Sequence, residues 1–338
     1  MPMPMPVSAP GAISPARRRG LLLAAAAGIA LALSGCSSTP SAPAGATTTT
    51  GSVQIEDNHG SRTVPVPPQR VVATDNRTFQ TLHDWGVKLV AAPQNLIAPD
   101  NPYRTDSSIV NLGTHGEPKL EAIVAAQPDL IVNGQRFAKF YNDFATLVPT
   151  AVIVELDPRE GQPLDKELKR QVEVLGRIFG HEADAQRLIE EFDASIQRVK
   201  AAYSADTKAM AVITSGGKIN YAAPGKGRTL GPVFAILGLT PAISPEGSTD
   251  HEGDEISAEA IAEANPGLIL VMDRDAAVSA NTGAAYTPAS ELLASSPALQ
   301  NVAAVQQKRI VVMPQFTYLN EGIQSYTAFF NAIADALK

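Results

Sequence analysis

Residues 120–132 read LEAIVAAQPDLIV, and residues 258–270 read AEAIAEANPGLIL. The two stretches start 258 − 120 = 138 positions apart and share Glu-Ala-Ile, an Ala before a polar hinge residue, then Pro and Leu-Ile. In each, apolar residues at helical spacing run up to a proline, which cannot continue a helix. The short apolar run beyond the proline suits a strand buried on both faces. One unit, helix then proline then strand, is therefore written twice, and it predicts two related halves.

Working outward, short apolar runs alternate with helical stretches. Arg70–Thr74, Lys88–Ala92, Leu130–Val132 and Ala151–Val154 read as strands; Phe79–Trp85, Glu121–Ala126 and Asn142–Leu147 read as helices. That alternation implies a largely parallel sheet. Val53–Glu56 and Thr63–Val66 read as a hairpin around Asn58-His59-Gly60. From about residue 166 the spacing becomes helical and is broken only near Gly180. Glu182–Ala202 contains no Gly or Pro and predicts one helix about 30 Å long, suited to a strut. The alternation then resumes, with strands at Ala209–Thr214 and Arg309–Met313 and helices at Thr229–Leu237 and Ser325–Leu337. The expected fold class is α/β: two Rossmann-like α/β lobes, residues 52–180 and 204–338, joined by a single long α-helix over 181–203, with the ligand cleft between the lobes.

The start of the chain reads differently. Arg17, Arg18 and Arg19 precede an apolar run from Leu21 to Leu33, followed by Leu33-Ser34-Gly35-Cys36. A charged start, a short apolar run and small residues make a secretory signal, and the run is too short to span a bilayer comfortably. Leu-Ser-Gly-Cys resembles the lipobox of bacterial lipoproteins, in which the Cys becomes the mature N-terminus and carries lipid. Residues 1–35 are thus expected to be a signal peptide. Residues 36–51 are expected to be the lipidated Cys36 and a flexible Ser/Thr/Pro-rich tether. Arg18-Arg19 leaves open whether export is general or twin-arginine. Cys36 is the only cysteine, which excludes an internal disulfide and a cysteine zinc site. The formal charge is −7, and loss of the three arginines in residues 1–35 makes it −7 − 3 = −10. That balance argues against nucleic acid as a partner. The expected location is the outer face of the cytoplasmic membrane or the periplasm.

Ligands of open α/β sheets sit beyond the carboxyl ends of the strands. Past the first copy lies Arg136, past the second Arg274, and 274 − 136 is again 138. Both are expected in loops facing one gap. Pro224-Gly225-Lys226-Gly227-Arg228 lies between a strand and a helix; it lacks the P-loop pattern, but its glycines would let an anion approach the backbone. His251 sits in the polar loop Ser248–Gly253, among Glu252, Asp254 and Glu255, and Tyr318 follows the strand that ends at Met313. Glu121 and Glu259 open the duplicated helices, where an acid suits the macrodipole.

On these residues the body, from residue 52 onward, resembles the class III periplasmic binding proteins that feed ABC importers, and within them the ferric-catecholate binders. The resemblance implies that Arg136, Arg228 and Arg274 hold catecholate oxygens, with Lys226 and Arg228 competing for one role. It implies that His251 and Tyr318 bind iron directly when a tetradentate siderophore leaves two positions open. It implies that Glu121 and Glu259, with Glu117 as a nearby alternative, dock on the importer's membrane subunits. No intrinsic cofactor is expected; ferric iron arrives as the siderophore complex. The chain is expected to act as a monomer and not as an enzyme. A haem-binding protein of the same fold is the first alternative. A metal-dependent hydrolase using the DHEGDE loop is a weaker one, because a single His makes a poor zinc site.

Overall fold

The computed structural model describes residues 51–338; Cys36 and the expected signal peptide and tether lie outside the described residues, except Gly51, which opens a strand rather than ending a tether. The described part forms one unit with two α/β sheets. In the first sheet five parallel strands lie in the order Val110–Asn111, Leu89–Ala92, Val71–Ala73, Leu130–Asn133, Val152–Glu155. The strand that is first along the chain stands in the middle, so connections diverge on either side of Val71–Ala73, as at the ligand crevice of open α/β sheets. A hairpin, Gly51–Asp57 with Gly60–Val66, precedes it.

The second sheet centres on Lys208–Ser215, which is parallel to Leu268–Asp273; that strand is in turn parallel to Ile310–Val312. Thr240–Pro241 adds a short parallel pairing to Lys208–Ser215. On its other side Lys218–Tyr221 runs antiparallel and carries Asp254–Glu255 at its edge. The sequence reading passed over this hairpin, although Gly216-Gly217 is a strong two-residue turn signal.

Alternation of side chains explains how the sheets are covered. Val71, Ala73, Leu130, Val132 and Val154 of the first sheet share one apolar core with Ala209, Ala211, Ile213, Leu268, Leu270 and Met272 of the second. The intervening residues face outward to separate clusters. Val72, Ile131 and Ile153 pack with Ile123 of the helix Leu120–Ala126, and Met210, Val212, Ile269 and Val271 pack with Ile261 of the helix Ala258–Ala264. The duplicated stretch therefore does the same job twice: its helix closes the outer face of its own sheet. Both helices end on a left-handed residue, Gln127 (φ 45°) and Asn265 (φ 41°), before Pro128 and Pro266, a helix stop of the αL type.

The chain passes from the first sheet to the second through two consecutive helices, Leu164–Phe179 and Glu182–Ala202. The second covers the stretch expected from the sequence. It packs on the first and on the last helix, Ile323–Ala336, with Phe192 stacked on Phe330 at 5.7 Å. Among the described residues no helix is long and apolar enough to cross a membrane.

Asp75, just past Val71–Ala73, ties the first sheet to this helical layer. Its carboxylate is fully buried, accepts from Gln171 Nε2 at 2.9 Å and from the Arg77 N–H at 2.9 Å. Burial first, and the neighbouring Asp157 second, push the Asp75 carboxyl up to about 7. The folded protein then keeps a proton that the unfolded chain releases near its ordinary 3.8, so stability is lost as pH rises from about 4 to about 7. An Asp75→Asn variant should gain on the wild type across that window in urea denaturation, with the two converging toward pH 4; a gap that narrows as pH rises would refute the assignment. Phe192→Ala should lower stability by about 3–5 kcal/mol, measured the same way, because Phe192 is fully buried between the helices; a loss below about 1 kcal/mol would show that this contact does not join them.

Candidate ligand-binding cleft

Loops beyond the carboxyl ends of both sheets enclose a cavity of about 540 Å³. Arg77, Gln135 and Arg136 reach it from the first sheet, Arg228 and Thr229 from the second, and Glu321 from the segment before the last helix. Tyr318, on the short turn Thr317–Leu319, stands at the meeting point. The Cζ atoms of Arg228, Arg136 and Arg274 lie 4.8, 5.1 and 5.3 Å from the centre of its ring. The three arginines singled out in the sequence are thus gathered around the one tyrosine singled out with them, at cation–π distance.

Each arginine is placed by its local backbone. Gly134 follows the strand Leu130–Asn133; a Cβ there would come within 2.9 Å of the buried Asp75 carboxylate, so the chain can pass only without a side chain. Gln135 takes a positive φ of 48°, uncommon for a residue with a Cβ, and its N–H donates to Asp157 Oδ2 at 2.5 Å. This turns Arg136 inward, where its Nη2 donates to the Tyr318 carbonyl at 3.3 Å. Arg136 sits in a short helical turn rather than the expected loop. Arg274 likewise opens a helix, Arg274–Thr282, because Asp273 caps it by accepting from the Ala276 N–H at 3.0 Å.

The two glycines of the turn before Arg228 differ in their surroundings. A Cβ on Gly227 would lie 2.6 Å from the backbone of Ala222 and Ala223. Gly227 thus lets the turn pack on the backbone just past the strand Lys218–Tyr221, whereas a Cβ on Gly225 would meet nothing within 4 Å. Arg228 points into the cleft, whereas Lys226 is exposed, without a side-chain partner among the described residues, and does not line the cavity.

Glu321 sits under this cluster. It accepts from Thr229 Oγ1 at 2.7 Å, Gln135 Nε2 at 2.7 Å and Arg228 Nε at 3.1 Å, and meets Arg77 Nη2 at 3.3 Å. Burial alone would push its carboxyl up; Arg228 and then Arg77 outweigh that and bring it to about 2. The same pairing raises Arg228 against its burial, while burial and then Arg228 lower Arg136. Arg77 also pairs with Asp157 at 3.0 Å. Arg274 donates to Ser215 Oγ at 3.0 Å and meets Glu252 at 3.0 Å.

His251 is half exposed, 3.9 Å from Asp250 and from Glu252, and does not line the cavity. Its acidic neighbour Glu252 pairs with Arg274; these two and Tyr318 do not line the cavity of about 540 Å³ but adjoin it through the Tyr318 ring, which Arg136 and Arg228 also face. Among the described residues no group of three or more His, Cys, Asp or Glu side chains is arranged to hold a metal ion. Glu121 and Glu259 are both exposed in the first turns of their helices.

The sequence reading missed Arg77, Gln135, Asp157 and Glu321. The rule that found Arg136 and Arg274 also reaches Arg77, which follows the strand Val71–Ala73. Glu321 carries no comparable signal, because its partners lie 92 to 244 positions away.

A profile described as periplasmic binding protein matches residues 71–316. The chain is 30% identical over 227 residues to the ferric-anguibactin-binding protein of Vibrio anguillarum, covering 66% of this chain and 69% of that one. It is 25% identical over 317 residues to the petrobactin-binding protein of Bacillus subtilis, covering 91% and 96%. Among solved structures, the periplasmic catecholate-siderophore binding protein of Vibrio cholerae superposes with a TM-score of 0.72 at 24% identity, over 83% of this chain and all of that one. These likenesses extend over both sheets and the cleft between them, and the chain belongs to the periplasmic binding protein family.

Proposed function

We propose that the protein captures an anionic ferric siderophore of the catecholate type outside the cytoplasm and delivers it to an ABC importer. The observation that carries this reading is the convergence of Arg136, Arg228 and Arg274 on Tyr318 from both sides of one cleft. A guanidinium stays ionised, donates in a planar fork and stacks on aromatic rings, so it answers both the charged oxygens and the flat face of a catecholate. A ferric trihydroxamate offers far less charge and would leave the guanidiniums poorly compensated. Relatives named for binding ferric anguibactin, petrobactin and ferric enterobactin support a siderophore as cargo. In this reading Tyr318 supplies a phenolate oxygen to iron where the chelate leaves a position open, with His251 as the second candidate. The lipid on Cys36 tethers the body, and Glu121 and Glu259 meet the importer.

The reading is tested by titrating the protein with ferric catecholates, ferric hydroxamates and haem in parallel, following quenching of its single tryptophan, Trp85. Ferric catecholates should bind most tightly. Arg136→Ala, Arg228→Ala and Arg274→Ala should each weaken that complex by about 1.5–3 kcal/mol, the scale of a charge-assisted hydrogen bond; unchanged affinity in all three would remove the cargo assignment. A charge-transfer band present with the wild type and absent in Tyr318→Phe would establish phenolate ligation, and a band retained in that variant would exclude it. Reversing Glu121 and Glu259 to Lys together should abolish uptake in cells while leaving ligand affinity intact; undiminished uptake would end their docking role.

A further inference from the structure

Three guanidiniums, of Arg77, Arg136 and Arg228, line the cavity, and a fourth, of Arg274, lies beside it against the Tyr318 ring that Arg136 and Arg228 also face; the carboxylates opposite them are held with very different firmness. Glu321 is 3% exposed and takes contacts from Arg77, Gln135, Arg228 and Thr229, so a ligand would have to break all four to displace it. Asp157 is likewise tied, to Arg77 and to the Gln135 N–H. Glu252 is the opposite case. Its side chain is 49% exposed, and among the described residues its carboxylate meets Arg274 Nη2, at 3.0 Å, and the His251 ring, at 3.9 Å.

The backbone beneath Glu252 is anchored separately. Asn220 Nδ2 donates to the Glu252 carbonyl at 2.8 Å, and the Glu252 N–H donates to Asp250 Oδ1 at 2.7 Å. The side chain can swing away without unfolding the loop. Arg274 would stay where it is, because Ser215 and the Tyr318 ring hold it. Its Nε is buried with no acceptor among the described residues, so this arginine has bonding capacity that the protein itself does not use. Arg136, by contrast, has no carboxylate hydrogen-bonded to it among the described residues; it bonds the Tyr318 carbonyl and the Gln135 side-chain amide and faces the Tyr318 ring. Four guanidiniums (Arg77, Arg136, Arg228, Arg274) against three carboxylates (Asp157, Glu252, Glu321) leave one positive charge uncompensated; without Glu252 the difference is two.

We propose that Glu252 is an internal competitor for Arg274, displaced by an incoming anionic ligand, and that it sets how much negative charge a ligand must carry to bind tightly. A highly charged chelate repays displacement of the carboxylate, and a neutral one does not. This specificity role rests on the reading of the cleft as an anion site.

The test titrates wild type, Glu252→Gln, Arg274→Ala and the double variant with a ferric tris-catecholate, ferric citrate, haem and a neutral ferric trihydroxamate. Glu252→Gln should tighten binding of the anionic chelates by about fivefold, the scale of one partly exposed ion pair that no longer has to be broken. The gain should shrink at raised salt, be absent for the neutral chelate and be absent in the Arg274→Ala background. If the wild type binds ferric citrate or haem but no catecholate, the cargo assignment falls, and the effect of Glu252→Gln on the bound anion still decides the present proposal. An unchanged or weakened affinity of Glu252→Gln for every anion that binds overturns it. A gain that survives in Arg274→Ala overturns it as well, because it would be general repulsion rather than competition for that guanidinium. Failure of all four chelates to bind ends both readings.

Discussion

Guanidiniums gathered around one aromatic ring repel each other, and they remain there only because carboxylates are placed among them. The repulsion is felt: Arg228 lowers the Arg136 guanidinium further than burial alone does. Glu321 answers that repulsion at the point where it is greatest. Burial would favour its neutral form, yet Arg228 and Arg77 keep it ionised, and it returns the favour by fixing both. Tyr318 adds a face against which three cations can lie, and the Tyr318 carbonyl accepts from the one that lacks a carboxylate partner. The geometry of the cleft is therefore set by charge balance before any ligand is considered.

The fold was legible in the sequence because its two halves repeat one local instruction. A proline after a polar residue stops the helix at Gln127 and Asn265, and the apolar run beyond has nowhere to go but into a sheet. The same register placed Arg136 and Arg274, since residues just past a strand end at the crevice. Other parts were not legible. Lys226 and Arg228 could not be separated by pattern alone; only the packing of Gly227 against Ala222 and Ala223 decides which of them turns inward. Glu321 is a lone acid in a loop, and its importance arises from partners brought together by folding. The hairpin Lys208–Ser215 to Lys218–Tyr221 was missed for a simpler reason, since its Gly-Gly turn was overlooked.

The covering of the sheets has a further result. One face of each contributes to a single core that also includes Leu175, Phe192, Phe329 and Phe330 of the helices. The duplicated helices close only the outer faces and leave their first turns, with Glu121 and Glu259, on the surface. Structural duty falls on the apolar stripe of each repeat, while its acidic end is free for another use.

Glu321 is bonded both from the first sheet's loops, through Arg77 and Gln135, and from the second's, through Arg228 and Thr229. In mechanical terms the two sides form a fixed jaw, pinned at its base by a carboxylate and backed by a shared core. Under the function proposed above, a cargo entering such a jaw need not wait for it to shut, and the positive field at the mouth bears directly on capture.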